Sequence, residues 1–99
     1  MKSGREHRDR AHVERKILVT VVFITDLQHW ISVDARLALR VLRMVLEINS
    51  DPSRGIGKPE KLKHELAGHW SRRVTDEHRL IYRLDREKIE ILSARSHYA

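Results

Sequence analysis

An α+β fold, with two N-terminal helices packed on one face of a small, mainly antiparallel twisted sheet, is predicted for this chain of 99 residues by three observations. Two stretches of helical periodicity occupy the first half of the chain, after an apolar, β-branched run. Short β-like segments joined by tight turns fill the second half. Links that short allow only antiparallel neighbours, so the strands form a meander. Helices followed by a meander make a two-layer sandwich whose second sheet face stays open.

The elements follow in chain order. Residues 1–15, MKSGREHRDRAHVER, carry five basic and three acidic side chains and almost nothing to bury. They read as a disordered N-terminal extension to a single domain over 16–99. An RNA-binding arm is the rival reading, and the mixed charges argue against it. From Lys16 to Thr25 the run KILVTVVFIT is β-branched and apolar, which predicts a buried strand. Helical spacing of Phe23, Leu27, Trp30 and Ile31 begins inside that run, so the strand-to-helix boundary stays open over several residues.

Asp34 is a good N-cap for a second helix running to about Ile48. Leu37, Ala38, Val41, Leu42, Val45 and Ile48 form its core face, and Arg36, Arg40, Arg43 and Glu47 a solvated stripe. Leu39, Met44 and Leu46 make the apolar face wider than one packing partner needs, as a dimer contact or a bound peptide would, although a broad buried stripe also explains it. Residues 49–52 end the helix, and SRGIGKP, Ser53 to Pro59, is a loop. Strand-like segments follow near Lys61–Leu66, Trp70–Thr75, His78–Leu84 and Lys88–Ala94, with turns at Ala67-Gly68, Asp76-Glu77 and Asp85-Arg86-Glu87.

Lysine and arginine number 20 against 14 acidic residues, a net charge of +6, so the chain expects a polyanion or an acidic partner. The absence of cysteine excludes disulfides, thiolate zinc sites and cysteine nucleophiles together. No apolar run approaches the roughly 20 residues that cross a bilayer, and no signal core follows the charged N-terminus, which predicts a soluble, cytoplasmic protein with no membrane partner. Gly55-Ile56-Gly57-Lys58 lacks the flanking residues of a phosphate-binding loop, and Pro59 bars a helix directly after it. His64-Glu65-Leu66-Ala67-Gly68-His69 spaces its histidines one residue too far apart for a zinc-binding helix, so neither a metal nor a cofactor is expected.

What remains is a cluster of ionisable groups. From Arg54 to Arg79 seven basic residues stand against four acidic ones. Strand alternation puts Leu80, Tyr82 and Leu84 on one face and Arg79, Ile81 and Arg83 on the other, and a cationic open sheet face suits RNA. Arg72 and Arg73, being adjacent, point to opposite faces, so only one can serve a single site. His78 has the parity of Leu80 and Tyr82 and reads as a packed or capping histidine. By residue type alone Glu60 could be a surface ion pair, and His97 and Tyr98 an idle terminus.

Read as a string, these residues carry more. DPSRGIGKPEKLKH over 51–64, GHWSRR over 68–73, EHRLIY over 77–82 and the closing Arg95-Ser96-His97-Tyr98 closely resemble the Txe/YoeB toxins of the RelE superfamily, over roughly residues 16–98. The resemblance implies a RelE-like fold and a ribosome-dependent endoribonuclease that cuts mRNA in the A site and is neutralised by a YefM-type antitoxin. It implies Glu60 as general base, His97 as general acid and Arg79 at the scissile phosphate. Lys63, Arg73 and Tyr98 would hold the RNA, with Lys58 and His64 in the same block. A homodimer is suggested by the resemblance and by the over-wide second helix. The chemistry is coherent without a metal: RNA supplies its own 2′-OH nucleophile, so a base, an acid and a cation for the phosphorane suffice. The rival reading is a non-catalytic, basic RNA- or ribosome-binding module, or a member of the superfamily with another target; it has no reason to keep Glu60, Arg79 and His97 together. An RNA chaperone would want exposed stacking aromatics, and aromatics make up only 5% of the chain. Four departures stand out: Ser53 replaces an aromatic, Ser96 a tyrosine, Val21-Val22 the Pro-Glu that commonly opens the first helix, and Ala99 follows the usual terminal tyrosine.

Overall fold

The apolar run that opens the domain divides at Thr20. In the computed structural model, which describes residues 15–95, Lys16–Val19 form strand β1 and Val21–Val33 form helix α1. Thr20 sits between them with extended backbone; its Oγ1 accepts from the Phe23 N–H at 3.0 Å and donates to the Leu92 carbonyl at 2.7 Å. That cap starts the helix without the Pro-Glu pair, and the burial of Phe23 and Trp30 overrides the β propensity of Val21 to Thr25. The expected buried strand is corrected: all four β1 residues are exposed, because β1 lies at the sheet edge with one neighbour. Ile31, expected on the core face of α1, is 58% exposed. Residues 1–14 lie outside the described residues, as do 96–99, including His97 and Tyr98; Arg15 donates its Nε to the Asp85 carbonyl at 2.9 Å.

Asp34 closes one helix and opens the next. Its N–H donates to the Trp30 carbonyl at 2.8 Å, and its carboxylate accepts from the Arg36 N–H at 3.1 Å to start α2, Ala35–Ser50. The buried stripe of α2 is Ala38, Val41, Met44 and Ile48, with Leu37 and Val45 packed at its margin. Met44 therefore belongs to the core and Leu42, 42% exposed, does not, a rotation from the face expected. Val41, Met44 and Ile48 stand three and four residues apart, one above the other, and so define the stripe that meets the sheet. Arg40 and Glu47 are likewise only half exposed, being tied to the sheet and the following loop rather than simply solvated.

The sheet has five strands in the order β1-β5-β4-β3-β2, where β2 is Glu60–Lys61, β3 His69–Arg73, β4 Arg79–Leu84 and β5 Lys88–Ser93. β1 runs parallel to β5 and every other pair is antiparallel, with a register shift at Ile81/Tyr82. The strand expected over Lys61–Leu66 stops at Lys61; His64–Leu66 form a short 3₁₀ turn. Both helices cover one sheet face, where Leu80, Tyr82, Ile89 and Ile91 are buried against Met44, Val41 and Trp30. The end of β5 is pinned to α1: Trp30 Nε1 donates to the Ala94 carbonyl at 2.9 Å, and the Ala94 N–H to Asp26 Oδ2 at 2.8 Å. No helix among the described residues is long and apolar enough to cross a membrane.

The rotated core face is testable. Met44→Ala should cost about 3 kcal/mol, the range for emptying a closed core site, and Leu42→Ala less than about 1 kcal/mol, both measured by urea unfolding.

Candidate active site

The loop after α2 is held by one side chain. Arg72, on the helix-facing side of β3, is wholly buried. Its Nη1 donates to Glu47 Oε1 at 3.0 Å and the Ile56 carbonyl at 3.3 Å, and its Nη2 to the Asp51 carbonyl at 3.1 Å and the Arg54 carbonyl at 2.7 Å. The Nε meets Tyr82 Oη at 3.3 Å, and that hydroxyl donates to the Pro52 carbonyl at 2.8 Å. Glu47 also accepts from the Ile56 N–H at 2.9 Å. The Ile56 hydrogen bond, with Arg72 and Arg43 beside it, holds the Glu47 carboxyl below its ordinary value against the opposing cost of burial. Burial pushes the Tyr82 phenol up.

Glycine is required where this loop crosses the clamp. At Gly57, φ +85°, a Cβ would come within 2.9 Å of both the Arg73 carbonyl and Met44 Sδ. The Gly57 carbonyl accepts from the Arg73 N–H at 2.6 Å, which delivers the chain to Lys58. Lys58, φ +52°, and His64, φ +61°, are the two non-glycine residues of positive φ among those described, conformations costing on the order of 1 kcal/mol each. Both lie in the block singled out from the sequence, and they bracket β2.

Register decides which side chains share the open face. Glu60 is paired with Ser71 and Ser71 with Ile81, while Arg73 is paired with Arg79 one row further on. Paired residues point to the same side and alternate residues do too, so Glu60, Ser71, Arg73 and Arg79 all lie on the face that the helices leave open. Lys61 goes to the other side, its Nζ 5.7 Å from the Trp70 ring. Lys63 and His64 are exposed and line a cavity of about 320 Å³ with Glu60, Lys61 and Leu62. Arg73 and Arg79 are half-buried, and Arg73 Nε has no hydrogen-bond partner among the described residues. His78 packs edge-on against Trp30 with ring centres 5.2 Å apart, which fits a packed rather than a catalytic histidine. His97 and Tyr98 lie outside the described residues, three and four positions beyond the pinned Ala94.

Ser71 was not singled out from the sequence. It is wholly buried on the open-face side between Glu60 and Ile81, and its Oγ lacks a partner among the described residues. The signal lay in the WSRR string, where alternation puts His69, Ser71 and Arg73 in one row. Among the described residues no group of three or more histidines and carboxylates is disposed to hold a metal ion.

Residues 20–98 match the profile of the YoeB-like toxin of bacterial type II toxin-antitoxin systems. The chain is 49% identical to Toxin YoeB of Mycobacterium bovis over 73 residues, 74% of this chain and 86% of that protein. Its fold is similar to that of the YoeB/ParE toxin from Agrobacterium tumefaciens, with a TM-score of 0.78 and 36% identity over 84% of this chain and 99% of the other. It is also similar to a Staphylococcus aureus protein seen as a YoeB dimer, with a TM-score of 0.76 and 34% identity over 86% of this chain and 99% of that one. The same is true of the YoeB–YefM complex from that organism, with a TM-score of 0.73 and 33% identity over 85% of this chain and 98% of the other.

The clamp yields two expectations. Arg72→Ala should cost about 3 kcal/mol, because it strands Glu47 and three loop carbonyls, and Arg72→Lys should recover only part of that. Because the Glu47 carboxyl is depressed in the folded chain, its contribution is present above the usual carboxylate pKa of about 4.3 and is lost as pH falls through the lower folded value. The urea midpoints of wild type and Glu47→Gln should therefore differ at pH 7 and converge towards pH 3.

Proposed function

We propose that this chain, which belongs to the YoeB-like toxin family of bacterial type II toxin–antitoxin systems, is a ribosome-dependent endoribonuclease that cuts mRNA in the A site. The observation that carries the reading is the common face of Glu60, Arg73 and Arg79, one carboxylate with two guanidiniums on the side of the sheet that the helices leave uncovered. In the proposed reaction the Glu60 carboxylate takes the proton of the ribose 2′-OH, and that oxygen attacks the adjacent phosphorus. Arg79 stabilises the charge growing on the phosphoryl oxygens, and His97 protonates the departing 5′-oxygen. The products are a 2′,3′-cyclic phosphate and a 5′-hydroxyl, so the protons balance without an added water or metal.

Lys58, Lys63, His64, Arg73 and Tyr98 have the supporting role of holding the RNA backbone. The clamped loop and the left-handed Lys58 favour a pre-set Lys58 to Glu60 segment over one that must order on binding. The ribosome would present the mRNA bent for in-line attack, an orientation worth several kcal/mol. A YefM-type antitoxin is the proposed inhibitor and a homodimer the proposed assembly, by analogy with the Staphylococcus aureus relative, and the cytoplasm the compartment where mRNA is met.

Primer extension on a translated mRNA, with and without ribosomes, tests this directly. Cleavage should appear only with ribosomes, and Glu60→Gln and His97→Ala should each reduce it by about 10²- to 10⁴-fold while leaving the thermal unfolding curve in place. Cleavage of free RNA, or undiminished cleavage by either variant, would overturn the assignment.

A further inference from the structure

A wholly buried hydroxyl lies on the sheet face that the helices leave open. It belongs to Ser71, and its Oγ has no hydrogen-bond partner among the described residues. Ile81 stands opposite it on β4, and Leu62 continues the β2 ladder, its N–H donating to the His69 carbonyl at 2.9 Å. Both are buried, yet neither belongs to the core cluster beneath the helices. Packing in such a patch needs no oxygen. An alanine would fill the place without burying an unspent donor, which is costly to leave unmade. Nothing in the described fold uses this hydroxyl.

Register limits what could use it. The side chain directly opposite on β2 is Glu60, and opposed Cβ atoms in an antiparallel ladder stand about 5 Å apart. His69 and Arg73, two residues away along β3, are about 7 Å off by strand geometry, and Arg73 can only donate. Ile81 offers no polar side-chain atom. Glu90, the carboxylate on β5, already accepts from Arg83 at 2.8 Å. Glu60 is thus the acceptor in closest reach. Its own carboxylate is exposed and makes no hydrogen bond or ion pair among the described residues. An unheld carboxylate and an unspent donor share one rung of the sheet.

We infer that Ser71 is a positioning residue for the general base, on the reading that Glu60 is that base. When RNA covers the face and displaces water from Glu60, the Ser71 Oγ–H donates to one carboxylate oxygen and turns the other to the ribose 2′-OH. Hydrogen bonds of this kind are often open in the unliganded enzyme and close in the complex. Holding one oxygen removes the rotamers in which the carboxylate points to solvent, and productive geometry tolerates only small errors of aim. Ser71 is wholly buried and acts through Glu60, without touching the RNA.

Ribosome-dependent cleavage of a translated mRNA, followed at increasing ribosome concentration, tests the role. Ser71→Ala should lower the saturated rate about tenfold, as loss of a hydrogen bond to a charged group does. It should leave the half-saturating concentration unchanged and melt no lower than the parent. Ser71→Cys keeps the shape but donates weakly, so it should lose rate as the alanine does. In a Glu60→Ala background Ser71→Ala should change the rate by less than about twofold, because the partner is already gone. An undiminished rate or a lowered melting temperature in Ser71→Ala, a raised half-saturating concentration, or full activity in Ser71→Cys would overturn the positioning role. So would a further loss of about tenfold in the Glu60→Ala background. A parent chain that does not cleave would overturn the nuclease reading and this role together. Cleavage that Glu60→Gln abolishes and Ser71→Ala leaves intact would overturn this role alone.

Discussion

A wholly buried guanidinium holds this small domain in its working shape. Arg72 has five N–H donors, and the structure offers them five acceptors: Tyr82 Oη, Glu47 Oε1 and the carbonyls of Asp51, Arg54 and Ile56. A buried cation left unpaired would be costly, whereas one with every donor satisfied converts that cost into a geometric demand. The demand falls on four parts of the chain at once. β3 carries the arginine, α2 supplies the carboxylate, β4 supplies the phenol, and the loop must present its carbonyls inward. A lysine, with three donors and no planar fork, could not make the same set.

From that clamp follows the division of the sheet into a face covered by the helices and an open face. Because side chains alternate along β3, fixing Arg72 toward the helices fixes Arg73 and Ser71 toward the open face. The loop held by Arg72 ends at Lys58, and the next residues enter β2 with Glu60 paired to Ser71. A carboxylate and two arginines thus come to one face through backbone register, with no ion pair between side chains needed to gather them. The far end of the sheet is set independently, where Asp26 and Trp30 hold Ala94 just before the chain continues to His97. α2 is similarly two-sided: Met44 and Ile48 face the sheet, Glu47 reaches the clamp, and Leu39 and Leu46 face solvent.

Local chemistry was legible in the residues wherever one side chain decides one backbone event. Asp34 as a helix cap, the turn residues at Asp85 and the alternation of Arg72 and Arg73 belong to this kind, and each follows from groups a few bonds apart. The meander was legible because its links are too short for any other topology. The roles proposed for Glu60, Arg79 and His97 were not: taken singly they are surface charges and a terminal histidine, and only the resemblance of the whole string gave them weight. Ser71 went unremarked because a lone serine in a strand carries no signal until its neighbours across the sheet are known.

Length, composition and periodicity by themselves determined the class of fold, the chain's net positive charge and the absence of thiol chemistry. Those properties are sums over residues or repeats along the chain, and they need no knowledge of what lies opposite. Only the tertiary structure decided that Thr20, not the β-branched run around it, sets the first strand's end, since the cap is completed by Leu92 from the far end of the domain. It alone decided that Met44 rather than Leu42 is core, that Glu47 is a clamp rather than a solvated stripe, and that Leu39 and Leu46 of α2 stay exposed. Each depends on contacts between residues far apart in sequence, and periodicity can name a helix's faces without saying which of them the rest of the chain will cover.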